Sequence, residues 1–254
     1  MRILLVNDDG IDAEGIRALV DYFRNGNDVV VAAPAENQSG MAHAISVRKK
    51  IQVEHYSEYE KLGAEAWKIH GTPSDCVKIY LEAMCEKDKF PDLVISGINH
   101  GANLGSDVLY SGTVGGAIEG FIHGIPSIAV SLEIDSKIKL HDVAEKLAVE
   151  LPRFEEIWGK NFLLNVNFPK KYRDGVPKFV TSSVGHRDYL NAFEKIEEDG
   201  SVYYYMAGEI YDGENKPETD IRKTDEGFIS VTPLQLDMTN KKAYDACRNE
   251  CHSL

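Results

Sequence analysis

The sequence predicts an α/β fold: a Rossmann-like, mostly parallel sheet flanked by helices, followed by a hairpin-rich C-terminal extension. Short, wholly apolar runs recur along the first 170 residues, as expected for strands that are covered on both faces. Segments with a helical spacing of apolar residues separate several of these runs, which is the order of a βαβ fold. With 254 residues, 43% of them hydrophobic, the chain has enough apolar material for one large domain.

The first βαβ unit is predicted to occupy residues 2–34. The apolar run 2–7 predicts a buried strand, and Gly26 ends the helix that follows it. The apolar residues of that helix lie at positions i, i+3, i+4 and i+7: Ile16, Leu19, Val20 and Phe23. Residues 28–34 (DVVVAAP) predict the second strand, so we expect a right-handed crossover between the two.

The segment after this unit predicts a hairpin and then a capped helix. Alternating apolar residues in 44–53 and 66–69 indicate hairpin strands rather than another crossover. The turn GTPSD places Thr72 or Ser74 to cap the next helix. That helix has an apolar face made by Val77, Tyr80, Leu81 and Met84.

Further strands and helices complete the predicted parallel sheet. We expect strands at 91–99, 125–132 and 161–169, and helices at 116–124 and 138–158. The strand at 161–169 is predicted to close the parallel sheet. We therefore predict a catalytic core over residues 1–170.

The chain changes character after Pro169. Tyrosine- and glutamate-rich stretches and a strand-like segment at 228–236 predict hairpins and a last helix. We predict that residues 171–254 form an extension for oligomerisation, either as a separate region or as part of one single domain.

The charge of the chain argues against two classes of partner. The net charge of −13 repels nucleic-acid backbones and anionic membranes, and the densest basic stretch, residues 48–50, reads as a solvated strand edge. No window approaches the roughly 18 apolar residues of a membrane helix. The apolar run 3–6 is too short for a signal peptide, so we expect no membrane partner and residence in the cytoplasm.

Polar, oxygen-bearing side chains follow three of the predicted strands. Asp8 and Asp9 follow the first strand, Ser39 follows the second, and Asn99 and Asn103 follow the strand at 91–99. In an open α/β sheet, ligands bind outside the carboxyl ends of the strands. We therefore expect these side chains to form one site.

The adjacent Asp8 and Asp9 indicate a divalent cation. Two carboxylates, a hydroxyl and an amide oxygen form a hard ligand set that suits Mg²⁺, Mn²⁺ or Ca²⁺. The alternative is that both acids cap the helix that begins near Asp12 or Glu14. Four acids exceed what one helix N-terminus requires, which favours the metal.

The glycine-rich segment 101–116 predicts the phosphate-binding half of the site. Ser111, Gly112 and Thr113 begin a predicted helix and offer hydroxyls and free N–H groups to an anion. The segment matches neither of the common glycine-rich nucleotide motifs. Next to an acidic metal site, it indicates metal-assisted phosphoryl chemistry.

Six motifs together resemble the SurE family, the stationary-phase survival proteins that are metal-dependent nucleotidases. The six motifs are NDDG, AP-x-x-x-x-SG, GTPSDCV, SGINHGANLG, YSGTVGGAIEG and SVTPLQLDMT. They span residues 7–239 in the family's order, and together they are more specific than any single motif. One departure is Met206-Ala207 before Gly208, where the family more often has an aromatic or aliphatic residue.

The resemblance implies an activity and a set of site residues. The activity is hydrolysis of nucleoside 5'- and 3'-monophosphates, and in some members of polyphosphate, with one Mg²⁺ or Mn²⁺ per subunit. The implied metal ligands are Asp8, Asp9, Ser39 and Asn99, of which Asp8, Asp9 and Asn99 are also the implied catalytic residues. The implied phosphate-binding residues are Gly40, Asn103, Ser111, Gly112 and Thr113. Homodimers or homotetramers that exchange the C-terminal extension are also implied.

The expected mechanism is attack by a water molecule on the phosphorus atom. A covalent aspartate is disfavoured because NDDGID lacks the D-x-D spacing of phosphatases that form aspartyl phosphates. A role of His100 as general acid is left open, because a glycine-rich loop can also present this side chain to solvent. The alternatives are a receiver-like, Mg²⁺-binding phospho-switch and a nucleotide-binding protein without turnover.

Overall fold

The computed structural model describes residues 1–158 and 162–251. The first half of the chain alternates strands and helices: β1 Arg2–Val6, α1 Glu14–Phe23, β2 Asp28–Pro34, β3 Val53–His55, α2 Ser57–Glu60, β4 Glu65–Ile69 and α3 Pro73–Ile79. The central part continues with β5 Leu93–His100, α4 Gly112–Ile122, β6 Ser127–Leu132, α5 Leu140–Ile157 and β7 Leu163–Phe168. The last part contains β8 Phe179–Thr181, β9 Asp188–Leu190, β10 Phe193–Glu198, β11 Ser201–Met206, β12 Glu209–Tyr211, α6 Asp220–Asp225, β13 Ile229–Leu234 and α7 Lys241–Cys251.

A mostly parallel sheet forms the centre of the described residues. Its strand order is β3-β4-β2-β1-β5-β6-β7-β13-β8, and the run from β4 to β7 is parallel throughout. β1 lies between β2, the next strand in sequence, and β5, which the chain reaches only after β4, so the strand order reverses at β1. The predicted α/β fold is confirmed, and sheets of this kind bind ligands at the carboxyl ends of the strands beside the reversal, which here are β1 and β5.

The sheet is covered by helices on both faces because its strands are apolar on both faces. Ile3 and Leu5 of β1 pack in the cluster that contains α1 and α5 residues, whereas Leu4 and Val6 pack with α3 residues. All four side chains are fully buried. Burial of one such side chain contributes about 2 kcal/mol, so β1 is firmly held and the residues just after it have a fixed position.

Two predicted strands differ from the structure. Residues 44–52 form no strand, since β3 begins at Val53, and β4 runs parallel to β2 rather than returning from it in a simple hairpin. The physical reason is that the start of α3 holds the backbone of Ala44 and Ser46: the hydroxyl of the N-cap Thr72 donates to the Ala44 carbonyl (2.6 Å), and Asp75 accepts from the Ser46 N–H (2.8 Å).

The second difference concerns the end of the parallel sheet. β7 is the last strand of the parallel run, but β13 adds to it antiparallel and β8 adds parallel to β13. The predicted strand began at residue 161, which lies outside the described residues. Residues beyond 170 therefore contribute two strands to the same sheet.

The remaining strands of the C-terminal region form the predicted hairpins. β10 pairs with β11 and β9 pairs with β12, both antiparallel, and every residue of these four strands is exposed. Among residues 1–158 and 162–251, no helix has the length and apolarity needed to cross a membrane.

Candidate active site

The acidic pair lies at the carboxyl end of β1, where the strand order reverses. Asp8 is 4% exposed and accepts a hydrogen bond from the Thr113 hydroxyl. Burial raises the pKa of Asp8 to about 6; the Thr113 hydrogen bond opposes this rise, and the neighbouring charge of Asp9 adds to it. Burial also raises the pKa of Asp9. Two acids are thus held together in a site that disfavours their charges.

The end of β5 lies beside this pair. The Asp9 carboxylate accepts from the backbone N–H of His100 (3.2 Å), so the carboxyl ends of β1 and β5 are joined. The Asn99 amide nitrogen donates to the Gly101 carbonyl (2.7 Å), which leaves its amide oxygen as the end available to a ligand. The His100 side chain is exposed.

The loop after β2 closes over the acidic pair. The Gln38 N–H donates to the Asp8 carbonyl (2.7 Å), and Asn37 contacts Asp9 through its amide nitrogen (3.4 Å). Ser39 follows directly, with its N–H donating to Asn37 (2.9 Å). The structure therefore brings Ser39 and the exposed Gly40 to the same end of the sheet as Asp8 and Asp9.

The N-terminus of α4 lies directly against Asp8. Ser111 is the N-cap residue, and its hydroxyl accepts from the Val114 N–H (3.1 Å). A Cβ atom on Gly112 would lie 2.9 Å from the Asp8 Cβ atom, so the close approach requires glycine. The first N–H groups of a helix have no partner within it and attract anions. The helix N-terminus and the acidic pair thus form one continuous surface.

Asn103 is buried in a polar network below the glycine-rich loop. Its amide nitrogen donates to the Ser131 hydroxyl (2.8 Å) and its N–H donates to Asn167 (2.8 Å), while its carbonyl accepts from Asn165 (2.8 Å). This network fixes the loop to β6 and β7. We did not predict this network, although the two asparagines inside the apolar run LLNVNF indicate buried polar contacts.

The donor set at the strand ends fits a hard divalent cation. Its atoms are carboxylate, hydroxyl and amide oxygens, and the charged neighbour that acts on buried Asp8 is another acid, Asp9. A cation bound between the two carboxylates would remove their repulsion and offset the cost of burial.

A second acidic cluster lies towards the C-terminal end of α4. Glu82, Glu119 and His123 place ligand atoms within 4.8 Å of one another. However, the Lys78 ammonium lies 2.7 Å from Glu82 and 3.2 Å from Glu119, so a cation already neutralises these carboxylates. This cluster is therefore a poorer candidate for a metal than the strand ends.

A buried acidic pair at the reversal of a parallel sheet, next to a helix N-terminus, defines an α/β protein suited to bind a cation and a phosphate group together. Its sequence identifies the particular family: the family described as survival protein SurE matches residues 3–191, and the chain belongs to it.

Several relatives are similar over almost their whole length. The 5'-nucleotidase SurE of Caldanaerobacter subterraneus subsp. tengcongensis is 44% identical, covering 95% of this chain and 94% of the relative. That of Pelotomaculum thermopropionicum is also 44% identical, covering 95% and 92%. The crystal structure of the SurE protein from Aquifex aeolicus has a TM-score of 0.82 at 34% identity, covering 97% of this chain and 98% of that one.

The receiver-like alternative is not favoured by these findings. A receiver carries its acceptor aspartate at the end of a central strand, whereas β5 ends with Asn99 and His100. β6 is followed by Glu133 instead of the lysine that a receiver needs.

Proposed function

We propose that the protein is a metal-dependent nucleotidase that hydrolyses nucleoside 5'- and 3'-monophosphates to nucleoside and phosphate. The observation that supports this most is the direct contact between the buried carboxylate of Asp8 and the first turn of α4. A phosphate ester bound there would meet helix N–H groups and an acidic metal site at once.

The metal ligands in this proposal are Asp8, Asp9, Ser39 and Asn99, with one Mg²⁺ or Mn²⁺ per subunit. When bound, such a cation lowers the pKa of a bound water and neutralises phosphate charge. The chain's own contribution is orientation: Thr113 fixes Asp8, the His100 N–H fixes Asp9, and Gly101 fixes the Asn99 amide.

The phosphate group is proposed to bind at the N-terminus of α4. The Thr113 hydroxyl is occupied by Asp8, so Thr113 and Gly112 would use their backbone N–H groups. Ser111 is the buried N-cap residue of the same helix, Gly40 is exposed, and Asn103 has a second amide hydrogen to offer. These donors would stabilise the charge that develops on the phosphoryl oxygens.

A water molecule is the proposed nucleophile. Asp8 is tied to Thr113 and Asp9 to the His100 backbone, so each carboxylate is held by a neighbour instead of being free to attack. His100 is next to Asp9 and exposed, and protonation of the leaving alkoxide by His100 stays a prediction.

We further propose that residues 171–254 mediate assembly into a homodimer or homotetramer. The exposed side chains of the β10–β11 hairpin include seven large apolar residues: Phe193, Ile196, Val202, Tyr203, Tyr204, Tyr205 and Met206. An apolar surface of this kind marks a protein interaction site. Cytoplasmic residence stays a prediction from the sequence.

A phosphate-release panel tests the proposed activity. The purified protein would be incubated with each common 5'- and 3'-mononucleotide and with short polyphosphate, with Mg²⁺, with Mn²⁺ or with a chelator. We expect release from nucleoside monophosphates in the presence of a metal only. If no nucleotide releases phosphate with either metal, the alternative of nucleotide binding without turnover replaces the proposal.

A further inference from the structure

Glu119 is a buried carboxylate that the proposed chemistry does not use. It lies in α4, it is 2% exposed, and its carboxylate contacts three side chains that can carry positive charge. The distances are 2.7 Å to His43 Nε2, 3.2 Å to Lys78 Nζ and 3.6 Å to His123 Nδ1. Burial opposes ionisation, but the hydrogen bonds from His43 and Lys78 outweigh it and lower the pKa of Glu119.

His43 connects Glu119 to the loop that carries Ser39 and Gly40. Residues 37–46, which we name the Ser39 loop, contain neither helix nor strand. Backbone contacts hold its first part, including Gln38 N–H to Asp8. His43 supplies the side-chain contact in the middle of the loop, four residues after Ser39.

The same part of the loop lies directly on α4. A Cβ atom on Gly115 would be 2.2 Å from the carbonyl oxygen of Ala42, so the loop backbone occupies the space of a side chain. The Ala42 N–H donates to the Tyr110 carbonyl (2.9 Å), just before α4 begins. The contacts at His43 and Gly115 therefore hold the Ser39 loop against α4, and the first turn of α4 contacts Asp8.

From this geometry we infer that Glu119 is a positioning residue: through His43 it holds the Ser39 loop on α4, so that Ser39 and Gly40 stay at the acidic pair. The inference rests on the proposed function and adds a residue to that site. Partners of metal-binding side chains typically change metal affinity or activity by about 10- to 100-fold when they are removed.

The test compares two disrupting variants with one matched control. His43→Ala removes the loop side of the contact, and Glu119→Gln removes the charge from the helix side. Glu82→Gln is the control, because Glu82 contacts the same Lys78 and His123 but not His43. Two quantities are measured: amide hydrogen exchange of residues 37–46, and Mn²⁺ affinity by calorimetry.

We expect both disrupting variants to speed exchange in the Ser39 loop and to weaken Mn²⁺ binding by about tenfold or more. Combining the two substitutions should add little to either one, because they break the same contact. Glu82→Gln should match the wild-type protein in both measurements. Gly115→Ala should reproduce the effect by pushing the backbone of Ala42 and His43 away from α4, while the His43 and Glu119 side chains are not substituted.

Wild-type loop exchange in His43→Ala and Glu119→Gln would overturn the inference, and so would faster exchange with unchanged Mn²⁺ affinity. If Glu119→Gln does not fold, His43→Ala still decides the outcome, since the His43 side chain is partly exposed. Failure of the proposed function is seen separately, as absence of phosphate release by the wild-type protein, and loop exchange does not depend on turnover.

Discussion

At the scale of single residues, Asp8 connects the fold to the proposed chemistry. It follows a strand whose four apolar residues are fully buried, it is buried itself, and it is held by a hydroxyl from a helix 105 residues away in sequence. The charge of such a carboxylate is costly without a cation. The residue therefore contributes little stability of its own, and a charged side chain at this buried position is explained by a ligand.

The raised pKa of Asp8 predicts how the metal-free protein responds to pH. The carboxyl group titrates near 4 when unfolded and at about 6 when folded, so the folded protein binds more protons between these values. The free energy of unfolding should therefore fall as pH rises from about 4 to 6, by up to about 3 kcal/mol from this group.

Urea unfolding in chelator at pH 4.5 and pH 7 checks this expectation. Asp8→Asn should lose less stability than the wild-type protein between the two pH values, because it carries no titrating group at this position. Mn²⁺ at pH 7 should restore stability to the wild-type protein and much less to Asp8→Asn. Equal pH dependence in the two proteins would contradict the buried-charge explanation.

At the scale of elements, regular strands and helices followed from the sequence, whereas the loops did not. Strands covered on both faces leave wholly apolar runs, and α3 leaves a capping motif, so β1, β2 and the start of α3 were predicted. Residues 44–52 alternate in polarity like a strand, but Asp75 and Thr72 bind their backbone instead. Such long-range contacts leave no local pattern.

For the candidate site, too, only some of the residues could be predicted from the sequence. Asp8, Asp9 and Asn99 stand at strand ends, where the sheet rule places ligand-binding residues, and the structure brings them together with Ser39. The residues that hold them, Glu119 among them, lie in other elements and carry no recognisable spacing. The sequence could therefore indicate the metal-binding residues but not the residues that position them.

The N-cap of α3 gives a prediction at the element scale. The Thr72 hydroxyl accepts from the Asp75 N–H (3.0 Å) and donates to the Ala44 carbonyl. Thr72→Ala should lower the free energy of unfolding by about 1–2 kcal/mol, because it removes a cap and a loop contact.

Thr72→Ser is the matched control, because it keeps the hydroxyl at the same position. Chemical denaturation should show most of the stability retained in Thr72→Ser and lost in Thr72→Ala. A loss of equal size in both variants would mean that the methyl group, and not the hydrogen bonds, is responsible.

At the scale of the whole molecule, the sheet serves two purposes. Its reversal at β1 positions the candidate site, and its far edge carries β13 and β8 from the C-terminal region. The hairpins of that region expose apolar residues that the sheet does not cover. We expect these residues to be buried between subunits.

A charged variant of the β10–β11 hairpin tests that expectation. Phe193 and Met206 are directly opposite each other, so Phe193→Lys with Met206→Glu removes apolar surface while keeping a favourable cross-strand pair. Light scattering after size-exclusion chromatography should give an oligomer for the wild-type protein and a smaller mass for the double variant. Val149→Lys, at an exposed apolar position in α5, is the control. A monomeric wild-type protein, or an unchanged mass in the double variant, would contradict the proposed assembly.

The central claim is that Asp8 and Asp9 are metal-binding residues of a phosphohydrolase and more than helix-capping acids. Phosphate release from a nucleoside monophosphate with Mn²⁺ tests it most directly, in the wild-type protein, in Asp9→Asn and in Asp12→Asn. Asp12 is an exposed acid before α1 that contacts Tyr56 and Lys68 and is not among the proposed ligands. We expect Asp9→Asn to lose about 100-fold or more in metal-dependent turnover and Asp12→Asn to stay close to wild type. Near-normal turnover in Asp9→Asn, or turnover that a chelator does not abolish, would contradict it.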